Sequence, residues 1–246
     1  MKHPVTASLF LVLALSACGA INQSFDIEDG SVVNDDLNTV NGTIRIGENA
    51  TVNGEVSTVN GNVRVGAGSS VGEAATVNGS VNLAENSVAG SVESVNGQIG
   101  LGDGARVNGD AATVNGSVVA GQRVVVTGDM TAVNGRISLE RESRVEGSAT
   151  TVNGALTLRG AYVQSLTTVS GPVDILEGST VEGELRVEEA KRSRDRDQIP
   201  RIVIGENSSV GGPLVFEREV ELHIHESAQV GEIRGAEPRY YSGSEP

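Results

Sequence analysis

The sequence "TVNG" stands at Thr39–Gly42, and this 246-residue chain repeats it again and again. Further copies begin at Thr51, Thr58, Thr76, Thr113 and Thr151, and near-copies begin at Ser94, Arg106, Ala132 and Thr168. The main series places Asn at 41, 60, 78, 96, 115, 134 and 153, with Ser170 in the eighth place. Successive positions of this series lie 17–19 residues apart. A nearly constant period of this length indicates a solenoid, in which each repeat forms one turn and stacks on the next.

Each period contains three short segments with strand chemistry. "TIRIG" at Thr43–Gly47, "NVRVG" at Asn62–Gly66 and "RISLE" at Arg136–Glu140 alternate apolar and polar residues and are rich in β-branched side chains. Such short strands become stable only when equivalent segments of successive turns pair, about 4.8 Å apart. The sequence therefore predicts an all-β fold, a three-sided parallel β-solenoid with about ten turns of 18–19 residues over 31–234.

The "TVNG" repeat is interpreted as a corner of this solenoid. Its Val is expected to point inward, and its Asn-Gly pair is expected to turn the chain through the left-handed region. Successive Asn side chains then stack in a hydrogen-bonded ladder. The residue before each Val would face outward and form a hydroxyl strip, resembling those of ice-binding and carbohydrate-binding solenoids. Its members are Thr39, Thr58, Thr76, Ser94, Thr113, Thr151 and Thr168.

The VNG-punctuated repeats resemble two bacterial families over Ser31–Ile233, namely putative-adhesin domains and the bactofilin core. The resemblance to bactofilins, which are polymer-forming cytoskeletal proteins, implies a right-handed, three-sided β-helix. "VGAGSSVGEAATV" at Val65–Val77 also resembles the left-handed hexapeptide helix of acyltransferases. Strict hexads give 18 residues a turn, so the recurring seventh residue of this chain argues against that alternative.

The N-terminal segment has the features of an export signal. Residues 1–17 contain Lys2 and an apolar run that is shorter than the roughly 20 residues of a membrane-spanning helix. The run ends in "LSAC", which resembles the lipobox of bacterial lipoproteins and implies cleavage before Cys18 and acylation of its thiol. Gly19 then implies the outer membrane, with the side of that membrane left open, and residues 18–30 become the lipidated tether. The alternative is an ordinary signal with an incidental cysteine.

Composition limits the classes of partner. Removing residues 1–17 takes away Lys2 and no acidic residue, so the net charge of −14 becomes −15. An acidic chain is repelled by phosphate backbones, and we therefore expect no nucleic-acid partner. The chain has no Trp, three Phe and three Tyr, so the core must be built from Val, Ile, Leu and Ala.

Few residues of the chain are candidates for metal binding or catalysis. Glu221, His223 and His225 alternate along one predicted strand, so they share its outer face and are weak candidates for a divalent metal. Exposed polar surface is the alternative reading, and we predict no metal and no cofactor. Acidic residues such as Asp103, Asp110 and Asp129 look scattered in the sequence. The chain is therefore predicted not to be an enzyme; a polysaccharide-active β-helix enzyme or a glycan-binding protein is the alternative.

Two segments depart from the repeat. An insertion at about 189–201 carries the basic residues Lys191, Arg192, Arg194, Arg196 and Arg201, which suit either a solvated loop or a docking loop for an anionic partner. Residues 235–246 lack the repeat and are expected to be a flexible tail.

Asp35 and Asp36 place charge near the first sheet edge, which opposes edge-to-edge association. We therefore expect a monomer or a tail-to-tail dimer rather than a filament.

Together these patterns predict a lipid-anchored, non-catalytic β-solenoid of the cell envelope. Its expected role is a structural scaffold or an adhesive binding surface, with an envelope glycan or protein as partner and the membrane reached through the acylated Cys18.

Overall fold

The computed structural model describes residues 21–189, 199–244 and 246. Within these residues every regular element is a β-strand, and all the strand pairs are parallel. No helix in this part of the chain has the length and apolar character needed to cross a membrane. The predicted all-β fold is confirmed.

Each turn contributes one strand to face 1, a twelve-stranded parallel sheet in which strands pair with the equivalents one turn away. Its strands are β1 (Phe25–Ile27), β4 (Ile44–Ile46), β7 (Val63–Val65), β10 (Val81–Leu83), β13 (Ile99–Leu101), β16 (Val118–Ala120), β19 (Ile137–Leu139), β21 (Leu156–Arg159), β23 (Val173–Leu176), β26 (Arg201–Ile204), β29 (Glu221–His225) and β32 (Pro238–Tyr241).

Two further faces complete the turn. Face 2 contains β2 (Val32–Val33), β5 (Thr51–Val52), β8 (Ser70–Val71), β11 (Val88–Ala89), β14 (Arg106–Val107), β17 (Val125–Val126), β24 (Thr180–Val181), β27 (Ser209–Val210) and β30 (Gln229–Val230). Face 3 contains β3 (Leu37–Thr39), β6 (Val56–Thr58), β9 (Ala74–Thr76), β12 (Val92–Ser94), β15 (Ala111–Thr113), β18 (Met130–Ala132), β25 (Leu185–Val187), β28 (Leu214–Phe216) and β31 (Ile233–Arg234). Two longer strands, β20 (Arg144–Thr151) and β22 (Tyr162–Thr168), run through both faces.

The stack has about eleven turns, one more than the sequence predicts, because both ends of the solenoid extend further than expected. At the N-terminal end, Phe25–Ile27 pairs with Ile44–Ile46, so this part of the predicted tether belongs to the first turn. At the C-terminal end, Pro238–Tyr241 pairs with the strand Glu221–His225. The prediction of a flexible tail is wrong for these four residues, since their backbone joins the sheet.

The core is a single column of aliphatic side chains that runs the length of the stack. Ile44, Ile99, Ile137, Leu156 and Ile202 are among its fully buried members. Because each inward position faces the same position one turn away, a repeated Val, Ile, Leu or Ala fills the interior continuously. Met130 and Phe216 are the exceptions to the predicted aliphatic composition.

The four letters "TVNG" occupy two different places in the turn. At Thr51 and Arg106 the motif lies on face 2, and the following Val52 and Val107 are buried, as the sequence predicts. In the other eight copies the motif follows face 3, and its Val is half-buried on the outside. There the preceding residue points inward instead, so the predicted inward valine is wrong for the main series.

The predicted outward hydroxyl strip is corrected by the same observation. All seven of its members are buried: Thr39, Thr58, Thr76, Ser94, Thr113, Thr151 and Thr168. Inside the wall, Thr58 Oγ1 donates a hydrogen bond to the carbonyl oxygen of Gly42 (2.9 Å), and Thr113 Oγ1 donates to that of Gly97 (3.0 Å). A buried hydroxyl is tolerated because the backbone of the preceding turn accepts its proton.

The glycine of the main-series motif is required by close stacking and not by a left-handed conformation. A Cβ atom built on Gly116 would lie 1.9 Å from the carbonyl oxygen of Gly97, and neither residue has a positive φ. The left-handed residues lie at another corner, between face 1 and face 2, where Asn49, Gly68 and Asn86 have φ of 53°, 67° and 55°. The left-handed conformation that the sequence predicts for the Asn-Gly corner therefore occurs instead at the corner between face 1 and face 2.

Candidate functional site

The asparagines of the main series form the predicted ladder. From Asn41 to Asn153, each Nδ2 donates to the Oδ1 of the asparagine one turn before it, at 2.7–2.9 Å, and Asn22 accepts the first of these bonds. Each bond uses one of the two Nδ2 protons, and the ladder is exposed. The corner therefore presents a regular column of amide groups to solvent.

A continuous ridge of valines runs beside the ladder on the outside of face 3. We call it the valine ridge; its members are Val40, Val59, Val77, Val95, Val114, Val133, Val152 and Val169, and all are half-buried. Backbone hydrogen bonds hold them in register: the amide of Val114 donates to the Ser94 carbonyl and that of Val133 donates to the Thr113 carbonyl. The ridge follows from the inverted register, because an inward threonine leaves the next side chain outside.

The outward middle positions of three face 3 strands, next to the valine ridge, are covered by their neighbours. Ser57, Ala75 and Ala112 occupy these positions. Their exposed fractions are only 6%, 1% and 7%. Glu93 occupies the same position in the strand between Ala75 and Ala112, and it is half-buried. In these turns the outward surface of face 3 is therefore formed by the valine ridge and by carboxylates.

Carboxylates recur on the outside of face 3, one in each of five successive turns. We call them the acidic strip; its members are Glu55, Glu73, Glu93, Asp110 and Asp129. Four of them directly precede a face 3 strand, whereas Glu93 occupies the middle of its own strand. In that turn the residue before the strand is Ser91, so the carboxylate stands two residues further along the chain and every turn of the strip still carries one charge.

The carboxylates of the strip influence one another electrostatically. Burial raises the pKa of Glu93, and the neighbouring charges of Glu73 and Asp110 raise it further. The pKa of Glu73 is raised for the same two reasons, with Glu55 as the neighbouring charge. Like charges near an apolar surface disfavour ionisation. A cation bound at the strip would therefore relieve repulsion that the folded chain now contains.

The histidine strand does not form a metal centre in this structure. His223 Nε2 lies 3.3 Å from Glu221 Oε1, but Arg239 Nη1 also donates to that oxygen at 2.8 Å. His225 Nδ1 accepts a hydrogen bond from the Ser227 amide (3.1 Å), and its ring meets that of Tyr241 edge-on with centroids 5.1 Å apart. Within the described residues, no three His, Cys, Asp or Glu side chains are placed to hold a metal ion.

The tail brings further polar groups to the outer surface of face 1. Burial raises the pKa of Asp174, while the positive charges of Arg201 and Arg159 act to lower it. Burial raises the pKa of the Tyr241 phenol, and Arg201 lowers it. Asp174 and Tyr241 lie on β23 and β32, so the chain fold alone brings them into electrostatic contact. This cluster joins residues from four strands, β21, β23, β26 and β32.

Most of the predicted basic insertion lies outside the described residues, including Lys191, Arg192, Arg194 and Arg196. Cys18 and the signal segment also lie outside them. Arg201 is the exception: it begins β26 and pairs in register with Glu221, so it belongs to the sheet and not to a loop.

Comparison with known proteins gives no family for this chain: no protein-family model, no curated protein and no solved structure matches it.

The acidic strip and the valine ridge are not apparent from the sequence alone. Asp110 and Asp129 look scattered along the chain, yet they lie in adjacent turns, and the Asp110 carboxylate accepts a hydrogen bond from the Asp129 amide (2.8 Å). The signal was available as a recurrence of acids at close to the repeat length. It is weak because the shift of Glu93 by two positions disguises the period.

Proposed function

We propose that this protein is a non-catalytic, lipid-anchored scaffold of the bacterial cell envelope, which presents face 3 and its asparagine corner as a binding surface. The observation that carries the proposal is the alignment of the amide ladder beside the valine ridge over successive turns, from Val40 and Asn41 to Val152 and Asn153. Aligned columns of this kind give the same contacts in every turn, which suits an elongated partner.

Two features of the sequence support the envelope setting. The segment ending in Cys18 resembles a lipoprotein signal, and two or more acyl chains provide stable anchoring. The VNG repeats resemble those of putative-adhesin and bactofilin-like domains, in which a solenoid serves as a structural or adhesive element. A net charge of −14 also favours solubility in a crowded compartment.

Anchoring is tested by replacing Cys18 with Ala and labelling cells with a fatty acid. The wild-type chain should take up the label, and the variant should not. The same variant should leave the membrane fraction or remain unprocessed. Label retained at wild-type level in the variant would show that acylation does not depend on Cys18.

The binding surface is tested with a photo-crosslinking side chain placed on each face in native envelopes. Val95 marks the ridge on face 3, Val119 marks face 1 and Val125 marks face 2; all three are half-buried and outward. We expect a discrete adduct from position 95 and none from the other two. Adducts of equal yield from all three positions, or from none, would contradict a binding role for face 3.

A second candidate function, a polysaccharide-active enzyme, is favoured by one observation. Glu73, Glu93 and Asp110 place carboxylates with mutual electrostatic influence on three adjacent turns, and pairs of carboxyl groups carry out glycoside hydrolysis. Release of reducing ends from envelope polysaccharides should then disappear in Glu93→Gln and persist in Glu85→Gln, an exposed residue at another corner. Absence of any release by the wild-type protein favours the scaffold.

A further inference from the structure

The repeat gives this chain many copies of a chemically reactive dipeptide, Asn-Gly. The glycine nitrogen can attack Cγ of the preceding asparagine, because glycine has no Cβ to hinder ring closure. A C–N bond forms, the Cγ–Nδ2 bond breaks, and the side-chain amide leaves as ammonia with the proton of the glycine N–H. Water then opens the succinimide ring to aspartate or isoaspartate. The asparagines concerned are Asn41, Asn53, Asn60, Asn78, Asn96, Asn108, Asn115, Asn134 and Asn153.

Hydrogen bonding, and not exposure, distinguishes these asparagines, since all of them are exposed. Six are held from both sides, because Nδ2 donates to the preceding turn and Oδ1 accepts from the next: Asn41, Asn60, Asn78, Asn96, Asn115 and Asn134. Asn153 and Asn53 each donate one such bond, to Asn134 and Asn34. A ring can close only after the side chain has turned away from these partners.

Asn108 is the exception, because its side chain makes no hydrogen bond to any other described residue. It belongs to the copy of the motif on face 2, where the equivalent positions of the adjacent turns hold Gly90 and Thr127. Neither residue carries an amide side chain, so no ladder forms at this corner. The Asn108 side chain is therefore free to turn towards the backbone of Gly109.

The corner at Gly109 is also less tightly stacked than the main-series corner. A Cβ atom built on Gly109 would lie 2.9 Å from the Gly90 carbonyl oxygen, whereas the equivalent distance at Gly116 is 1.9 Å. In the part of the chain that the structure describes, the amides of both glycines donate no hydrogen bond, so the attacking nitrogen is available at each. The side-chain bonds and the space for movement therefore decide which asparagine reacts.

We propose that Asn108 is a site of spontaneous deamidation in the folded protein, and that the ladder protects the asparagines of the main series. Asn53 and Asn153, with one hydrogen bond each, react at intermediate rates. The reaction needs no enzyme, cofactor or partner, and it is independent of the proposed function.

Deamidation changes both the charge and the backbone at this corner. Either product adds a carboxylate two residues before Asp110, a member of the acidic strip. Isoaspartate also lengthens the main chain by one atom between β14 and β15. The amide of Asn108 donates to the Ala89 carbonyl at 2.9 Å, so the longer chain disturbs the register of adjacent turns. The isoaspartate form should therefore melt at a lower temperature than the unmodified protein.

The experiment compares two asparagines within one tryptic peptide. The purified protein is kept in mildly alkaline buffer below its melting temperature and is digested at intervals. Cleavage after Arg106 and Arg123 gives the peptide 107–123, which contains both Asn108 and Asn115. Mass spectrometry with fragmentation measures the replacement of NH2 by OH at each position. We expect Asn108 to react at least about tenfold faster, because two hydrogen bonds restrain Asn115.

The same digest contains a second comparison. Cleavage after Arg45 and Arg64 gives the peptide 46–64, in which Asn53 has one side-chain bond and Asn60 has two. Asn53 should react faster than Asn60. In denaturant the rates within each pair should become similar, because each of these asparagines follows Val and precedes Gly.

A double variant tests the protection by the ladder. Asn96→Ser combined with Asn134→Ser removes both partners of Asn115. Serine is accepted at this position of the turn, since Ser170 occupies the eighth place of the series. Deamidation at Asn115 should become at least about fivefold faster, with the rate at Asn108 unchanged. Thermal melting establishes that the variant is folded.

Asn41→Ser combined with Asn60→Ser, at remote positions of the ladder, is the control and should leave both rates in the peptide 107–123 unchanged. Equal rates at Asn108 and Asn115 in the folded protein would overturn the proposal. A difference that persists in denaturant would also overturn it, since the cause would then be the local sequence. An unchanged rate at Asn115 in the folded double variant without Asn96 and Asn134 would show that the ladder does not protect.

Discussion

Thr113 and Val114 are neighbours in the chain, but their side chains lie on opposite sides of the solenoid wall. Thr113 is fully buried and donates to the Gly97 carbonyl, whereas Val114 is half-buried in the valine ridge. Their sizes and β-branched shapes are nearly the same, so their positions are decided by hydrogen bonding. The hydroxyl is inside because an accepting carbonyl of the preceding turn is there.

Substituting Asp at these two positions tests the inverted register. Thr113→Asp should place a carboxylate without a cationic partner in the core and lower the stability by several kcal/mol. Val114→Asp should cost much less, because its side chain can reach solvent. Thermal or denaturant unfolding of the two variants measures the difference. A larger loss for Val114→Asp would restore the inward valine that the sequence predicts.

The close stacking of successive turns also requires glycine at the main-series corner. Gly116→Ala should destabilise the fold by about 3 kcal/mol or more, because its Cβ would lie 1.9 Å from a backbone oxygen that cannot move alone. Gly100→Ala is the matched control, since its nearest neighbour is the Asn82 side-chain oxygen at 2.9 Å, which can rotate away. Similar unfolding temperatures for the two variants would show that the corner can relax.

At the scale of the element, a face 3 strand carries an outward residue at its middle position, and the neighbouring strands decide how exposed that residue is. Ala75 and Ala112 are covered, whereas Glu93 on the strand between them brings a carboxylate into a half-buried position. The parallel register fixes this juxtaposition, because Glu93 pairs with both alanines. The acidic strip is therefore a property of stacked strands and not of any one strand.

The stability of this element should depend on pH through Glu93. Its raised pKa means that the folded chain binds the proton more tightly than the unfolded chain does. Stability should therefore increase as the pH falls through the raised pKa towards the ordinary value of 4.5, and ionisation at pH 7 should cost stability.

Glu93→Gln removes that cost, so it should melt at a higher temperature than wild type at pH 7. The gap should close as the pH falls below 4.5, where the wild-type carboxyl is also protonated. Glu85→Gln, at an exposed corner, is the control and should show no such pH-dependent gap. A gap that is the same at both pH values would indicate that charge repulsion at Glu93 is not its source.

At the scale of the whole molecule, the two ends of the stack differ in how they are closed. The C-terminal end has β32, whose pairing with β29 helps cover the core residues Leu222 and Ile224. Tyr240 lies in register with Ile224 but is largely exposed, since no described strand follows it. At the N-terminal end, Asp35 and Asp36 are exposed beside the first strand of face 3. Charge at a sheet edge opposes edge-to-edge association.

Deletion of residues 236–246 should therefore expose apolar surface and an unpaired strand. We expect a lower melting temperature and concentration-dependent association in sedimentation, with the intact protein remaining a monomer or a tail-to-tail dimer at low and high salt. Deletion of residues 242–246, which leaves β32 in place, is the control. Long filaments of the intact protein would contradict protection of the N-terminal edge.

The sequence by itself determined the solenoid, its three strands per turn, its aliphatic core and its asparagine ladder. These features repeat, and every turn contributes the same information about local strand and turn chemistry. Even the stacked Asn41 and Asn60 can be paired from the spacing alone, because equivalent residues must lie one turn apart.

Only the tertiary structure decided which of two adjacent β-branched residues faces the core. Alternation along a strand has two possible phases, and Thr113 and Val114 fit either phase until the carbonyl of Gly97 is placed. The tail is a second example. "PRYY" at 238–241 pairs with the edge of the strand Glu221–His225, and residues 238–241 by themselves carry no information about that partner. The valine ridge and the acidic strip follow from that phase, and for this reason they became apparent only once the turns were stacked.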